Sequence, residues 1–113
     1  MHELAITEAI LKIALSEAEK HGAKRVLTIK LCLGAYSDVE IAYVQKYFPL
    51  AGKNSIAEGA RIQTRRAPAR IRCKSCERES LLQKGECRCP SCQSTAIELL
   101  SGMECFVESI EVE

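Results

Sequence analysis

Cys73-Lys74-Ser75-Cys76 and Cys89-Pro90-Ser91-Cys92 decide how this chain is read. A C-x-x-C knuckle aims both of its sulfurs at one point, and two knuckles facing each other across a polar loop supply the four thiolates of a closed tetrahedral site. Such a site leaves no position for water, so it holds a fold together and does no hydrolytic chemistry. The spacing predicts structural zinc on Cys73, Cys76, Cys89 and Cys92; iron also suits four thiolates, and softness and geometry fit both metals. Cys87, in Cys87-Arg88-Cys89, is an alternative to Cys89, but only Cys89 with Cys92 keeps the knuckle spacing. Cys87 is therefore expected to be a free thiol beside the site.

Disulfides and redox chemistry fit less well. The chain opens Met1-His2-Glu3-Leu4 with no basic stretch followed by a long apolar run, so reduced thiols are expected. A redox C-x-x-C follows a strand and opens a helix, whereas here two copies face each other. The 113 residues allow one domain carrying a metal-stapled module. With 47% hydrophobic residues but 4% aromatics and no Trp, the core must be aliphatic. A formal net charge of +1 argues against nucleic-acid binding by bulk electrostatics. The local exception is Arg61, Arg65, Arg66, Arg70 and Arg72, for which a solvated face is the plain reading.

Outward from the cysteines, residues 3–21 place Leu4, Ile6, Ile10, Leu11, Ile13, Leu15 and Ala18 at helical spacing, with Gly22 as the C-terminal cap. His21 is expected to be a solvent-facing helix-end residue. Residues 25–34 alternate Leu27, Ile29, Leu31 and Leu33 against Thr28, Lys30 and Cys32, the signature of a half-buried strand. Ser37-Asp38-Val39-Glu40 reads as a capping box opening a second helix that ends or kinks near Phe48, before Pro49. Residues 60–67 read as a strand, and alternation resumes after Gly102 with Phe106, Ile110 and Val112 on one face. Cys32 and Cys105 are expected to be packing residues. The fold class that follows is α+β: a small mixed sheet of about three strands with two helices, plus an inserted zinc-ribbon-like module with a four-cysteine site. Residues 1–69 and 103–113 would form the α/β domain and 70–102 the zinc module.

At the amino terminus, the α-amine of Met1, the backbone nitrogen of His2 and its imidazole Nδ1 can reach one ion through fused chelate rings. Nitrogen donors in a planar set suit Ni2+ or Cu2+ better than Zn2+. A second-position histidine alone is weak evidence.

It does not stand alone. Met1-His2-Glu3-Leu4, His21-Gly22-Ala23-Lys24-Arg25-Val26, Gly34 with Ser37 and Val39, Ala57-Glu58-Gly59, the paired cysteine motifs and Ser109-Ile110-Glu111-Val112 together resemble the hydrogenase nickel-insertion accessory proteins of the HypA/HybF type. The resemblance covers nearly the whole chain. It implies a cytoplasmic metallochaperone, not an enzyme, that holds Ni2+ as transient cargo through Met1, His2 and Glu3. Cys73, Cys76, Cys89 and Cys92 map onto the family's zinc ligands. The implied partners are a nickel-handling GTPase and the large subunit of a [NiFe] hydrogenase. A second copy of the chain is a possible further partner; nucleic acid and membrane are not. Glu104-Cys105, where the family usually has an aliphatic pair, and the extra thiol of Cys87 depart from the pattern. The rival reading is a zinc-ribbon module that binds nucleic acid or protein through the arginines between Arg61 and Arg72, with the terminus inert.

Overall fold

The computed structural model describes residues 3–113, so two of the three expected nickel ligands, Met1 and His2, lie outside the described residues. The elements are α1 (Glu3–Lys20), β1 (Val26–Gly34), α2 (Ile41–Ala51), β2 (Arg61–Ala67), β3 (Ala69–Cys73), β4 (Glu79–Leu82), β5 (Ile97–Ser101) and β6 (Cys105–Val112). Two three-stranded sheets result, ordered β2-β1-β6 and β4-β3-β5. The fold is α+β. By packing, the chain divides into two compact units: Leu33–Asp38 with Arg66–Cys105, and the remainder, which carries both helices.

α1 ends as its sequence directs. Gly22 takes φ 62°, its N–H bonds the Glu19 carbonyl at 3.1 Å, and the Ala23 N–H reaches Ala18 at 2.9 Å, the paired bonds of a Schellman cap. The buried stripe differs from the expected one. It runs through Glu3, Thr7, Ile10, Ala14 and Ala18, while Leu4 is 53% and Ile13 48% exposed. α1 packs on α2, Ala14 and Ala18 are fully buried, and the buried Thr7 hydroxyl is satisfied by the Glu3 carbonyl at 2.6 Å.

β1 does not alternate as expected. Val26, Thr28, Ile29, Leu31, Cys32, Leu33 and Gly34 are all buried and Leu27 is exposed. The strand is central, and long side chains of its neighbours cover it: Arg65 of β2 reaches over Cys32 to Glu108 of β6. β6 is an edge strand and shows the opposite: Phe106 and Val112, expected on an inner face, are largely exposed, while Val107 and Ile110 are half-buried.

The capping box read at Ser37 does not start the helix. α2 begins at Ile41 with Glu40 as N-cap, and no side-chain bond caps it from within. Instead Glu3 Oε2 accepts the Glu40 N–H at 3.2 Å, a tie from another helix that local sequence patterns do not encode. Pro49 does not end α2 either. The helix runs to Ala51, and the Gly52 N–H closes it on the Phe48 carbonyl at 2.8 Å. Placed in the last turn, Pro49 removes one intrahelical bond, to Gln45, and both residues are exposed, so water takes the carbonyl.

The cysteine segment holds more regular structure than its sequence suggested. β3 is the centre of an antiparallel sheet, pairing Arg70 with Leu81 on β4 and Arg72 with Glu98 on β5. Ala69, Ile71 and Cys73 face inward and Arg70 and Arg72 outward. At its base the chain crosses itself. A Cβ on Gly34 would stand 2.1 Å from the Gly102 carbonyl oxygen, and one on Gly102, at φ 140°, would stand 2.6 Å from Ala69 Cβ. The Gly34 N–H bonds the Glu104 carbonyl and the Tyr36 N–H the Gly102 carbonyl, both at 2.8 Å. Only glycine fits both sides of this crossing.

Candidate metal centre

Cys73 is the last residue of β3, and the chain turns back immediately after it. The Glu77 N–H bonds the Cys73 carbonyl at 2.9 Å and the Cys73 N–H bonds Arg78 at 2.9 Å. The second knuckle repeats this pattern: the Gln93 N–H reaches the Cys89 carbonyl at 2.8 Å and the Cys89 N–H reaches Ser94 at 2.9 Å. Glu77 and Gln93 occupy equivalent places and share a positive φ, 63° and 64°, uncommon for residues with a side chain. Ser75 and Ser94 hydroxyls, 3.0 Å apart, join the two turns, and the Lys74 N–H adds a bond to Ala96 at 2.8 Å.

These turns bring Cys73, Cys76, Cys89 and Cys92 together, with all four sulfurs within 4.8 Å of one another. Cys73 Sγ lies 3.6 Å from Cys92 Sγ and Cys76 Sγ 3.7 Å from Cys89 Sγ. A tetrahedron of sulfurs around an ion at about 2.3 Å has edges of about 3.8 Å, so the donor set has the size and softness zinc requires. Cys73 and Cys89 are fully buried, Cys76 half-buried and Cys92 exposed.

The main chain prepares the sulfurs for a cation. N–H groups of Ser75 and Cys76 point at Cys73 Sγ from 3.3 and 3.4 Å. The Cys76 N–H is the chief reason the Cys73 thiol is pulled down to about 6, against the opposing effect of burial. Cys89 is lowered in the same way, first by the Cys92 N–H and also by that of Ser91. Cys92 receives an N–H from Ser94, which favours its thiolate, but the neighbouring Cys73 sulfur, burial, and the Cys89 and Cys76 sulfurs together push it up to about 11. Four adjacent sulfurs cannot all ionise unless a cation sits among them, so loading the site releases protons.

The other cysteines stand elsewhere. Cys87 is exposed and outside the cluster; beside it, the Tyr36 hydroxyl donates to the Glu86 carbonyl. Burial chiefly, with Cys87 and Glu86 adding to it, raises the Tyr36 phenol above its ordinary value. Cys32 is buried on β1 with Arg65 Nη2 at 3.4 Å from its sulfur, and Cys105 is half-buried at the start of β6. His21 is 70% exposed, its Nε2 3.9 Å from Glu17. The structure brings neither His21 nor Cys105 to the tetrathiolate cluster.

Glu3 is the one expected nickel residue among those described. It is only 7% exposed, and its carboxylate is occupied by the Glu40 N–H. Of the arginines, Arg65 forks onto Glu108 (Nε to Oε1 3.1 Å), Arg66 donates to the Gly34 carbonyl at 3.1 Å, and Arg70 meets Glu79 at 2.8 Å. Three of the five are spent on the protein itself, which weakens the nucleic-acid reading.

Comparison with known proteins agrees with this arrangement. Residues 1–112 match the family described as hydrogenase/urease nickel incorporation, metallochaperone, hypA. Hydrogenase maturation factor HypA of Dehalococcoides mccartyi strain BAV1 is 38% identical over 113 residues, covering 100% of this chain and 95% of that protein. The Nitrosospira multiformis protein of the same name is 32% identical over 112 residues, covering 99% and 97%. The solution structure of the Ni metallochaperone HypA from Helicobacter pylori superposes with a TM-score of 0.69 at 18% identity, covering 99% of this chain and 97% of that one, and supports the fold. No described helix is long and apolar enough to cross a membrane. With a family match that runs from the first residue through both cysteine knuckles, this chain belongs to the HypA family of hydrogenase and urease nickel-incorporation metallochaperones.

Proposed function

We propose that the protein takes up Ni2+ at Met1-His2-Glu3 and passes it on for maturation of [NiFe] hydrogenase, while Cys73, Cys76, Cys89 and Cys92 hold a structural Zn2+. In this reading residues 1–69 and 103–113 handle nickel and residues 70–102 are the zinc module. A nickel-handling GTPase and the hydrogenase large subunit are the partners, and the cytoplasm is the setting. The observation that carries the reading is the family match over residues 1–112, which includes the terminal Met1-His2-Glu3.

The two sites would differ in purpose because their donors differ. Nitrogen donors at a chain end form an open, planar set from which a partner can draw nickel by associative ligand exchange. A closed tetrathiolate retains its metal. The Glu3 carboxylate already accepts the Glu40 N–H, which supports a role for Glu3 in holding the terminus rather than in donating a side-chain oxygen.

The test is a Ni2+ titration of untagged protein beginning at Met1, beside His2→Ala, with zinc quantified in both. His2→Ala should lose specific nickel binding and keep its zinc and its circular dichroism. Wild-type binding should weaken as pH falls, since the α-amine, about 7.7 to 8.0, and the imidazole, about 6.5, must both be deprotonated to coordinate. Equal nickel affinity in the two proteins would remove the terminal site.

A further inference from the structure

β2 ends the β2-β1-β6 sheet on one side and is the most open strand of that sheet. In Arg61–Ala67 only Ile62 and Ala67 are even half-buried. Such an edge offers a row of main-chain donors and acceptors to any extended segment of suitable chemistry. Gln45 Nε2, from α2, donates to the Ile62 carbonyl at 3.5 Å, a side-chain donor on the main chain of the open strand.

Beside this edge lies a cleft lined by Gln45, Phe48, Pro49, Ala60, Arg61 and Ile62. Its apolar walls, from Phe48, Pro49 and Ile62, suit an aliphatic side chain, and Arg61 stands at the cleft with no carboxylate partner among the described ion pairs. The strand carries Arg61, Arg65 and Arg66 and no acidic residue. Arg65 is neutralised by Glu108, but no acidic residue on β2 offsets Arg61, so pairing two β2 edges adds like charge and no attraction, which counts against pairing with the same strand of a second copy. β6 carries Glu108 and Glu111 and no cation, but Glu108 is paired with Arg65 and Glu111 with Lys30, and β2 of one copy on β6 of the next is a head-to-tail contact that does not close.

We propose that the β2 edge, at Arg61–Arg65, is a docking site for an extended acidic segment of a partner protein. The segment adds as a fourth strand, places one aliphatic side chain in the cleft and sets carboxylates against Arg61. Its main-chain N–H replaces the Gln45 amide on the Ile62 carbonyl. The docking does not depend on nickel binding or on which metal the cysteines hold.

The probe is an end-blocked peptide of alternating valine and glutamate, about eight residues long so that at ~3.3 Å per residue it passes along the strand. Two controls accompany it: the same peptide N-methylated at alternate amides, in both registers, and one with lysine for glutamate. Binding is followed by amide chemical shifts of isotope-labelled, zinc-loaded protein and by fluorescence anisotropy. The acidic peptide should shift the amides of residues 61–65 and 45, one N-methylated register should fail to bind, and the lysine peptide should fail as well. Arg61→Glu, at an exposed position, should weaken binding by about tenfold or more through like-charge contact, and Gln45→Ala should leave it intact or tighten it. Shifts centred elsewhere, equal binding of both N-methylated peptides, or no binding of the acidic peptide up to about 1 mM, the weak end of useful affinities, would overturn the proposal. Concentration-dependent self-association abolished by Arg61→Glu would overturn it too, in favour of β6 of a second copy.

Discussion

The two units reach a packed interior by different means. In the unit with both helices the core is apolar, with aliphatic Ile10, Ala14, Ala18, Val26, Ile29, Leu31 and Val44 and aromatic Phe48 all buried. In the other unit the buried side chains are Leu33, Ala35, Ala69, Ile71, Cys73, Leu82 and Cys89, of which two are metal-ligand candidates. A handful of aliphatic side chains is little core for three short strands, and a metal on the four thiolates would take the place of a hydrophobic interior there. Hydrophobic burial is spread over many side chains and degrades by degrees. A tetrathiolate is concentrated in one point and fails at once.

The sharpest way to break this contrast is Cys73→Ser, or chelation of the wild type. Amide resonances of residues 66–105 should collapse toward unfolded positions while those of α1 and α2 persist, with metal content measured in parallel. Loss of both units together would show that the metal supports the whole chain. The converse is Phe48→Ala. Phe48 is 3% exposed, so truncation should cost about 3–5 kcal/mol in denaturant unfolding of the helical unit. Zinc content should not change.

How far the sequence disclosed these two regions follows from what each is made of. The cysteine knuckles were legible because ligand spacing is local: Cys73 with Cys76 and Cys89 with Cys92 each fix one turn within four residues. The Gly22 cap was legible for the same reason. What was not legible depends on neighbours distant in sequence. β1 looked half-buried by its alternation, but Thr28 and Cys32 are buried too. α1 buries Glu3 and Thr7, whose side chains are hydrogen-bonded, and leaves Leu4 and Ile13 exposed. The strands β3 to β5 escape a sequence reading because each is only four or five residues long, and β4 and β5 set Leu81-Leu82 and Leu99-Leu100 side by side instead of alternating. Ser37 and Glu40 had the letters of a capping box, yet the donor at Glu40 is taken by a carboxylate from the other helix.

Glu3→Ala sharpens the comparison at smaller scale. It removes the carboxylate that the half-buried Glu40 N–H bonds, and because Glu40 is exposed the cost is that of one hydrogen bond, about 1 kcal/mol. Denaturant unfolding of the helical unit should shift accordingly, and zinc content should not.

The smallest effect belongs to the surface of the same unit. The Arg65 guanidinium, above all through its hydrogen bonds, holds the Glu108 carboxyl below its ordinary value. A depressed folded-state value means a stabilising contribution that is complete above the unfolded carboxylate's pKa, about 4.3, and disappears as pH falls through the lower folded value. Both groups are exposed, so the contribution is slight. Glu108→Gln should flatten the acid limb of the helical unit's stability-pH profile and leave neutral-pH stability nearly unchanged; an unaltered acid limb would show that the pair contributes nothing.

The crossing of Gly34 over Gly102 also bears on how the protein acquires its structure in time. The two glycines are far apart in the chain, and β2, β3, β4 and β5 all lie within the loop they close. Closing a long loop costs entropy that grows with the number of free residues in it. A metal already held by Cys73, Cys76, Cys89 and Cys92 ties off an inner loop first and shortens what remains to be closed. Zinc present from the start of refolding should therefore speed docking of the crossing, and zinc added late should find a chain that reaches it slowly.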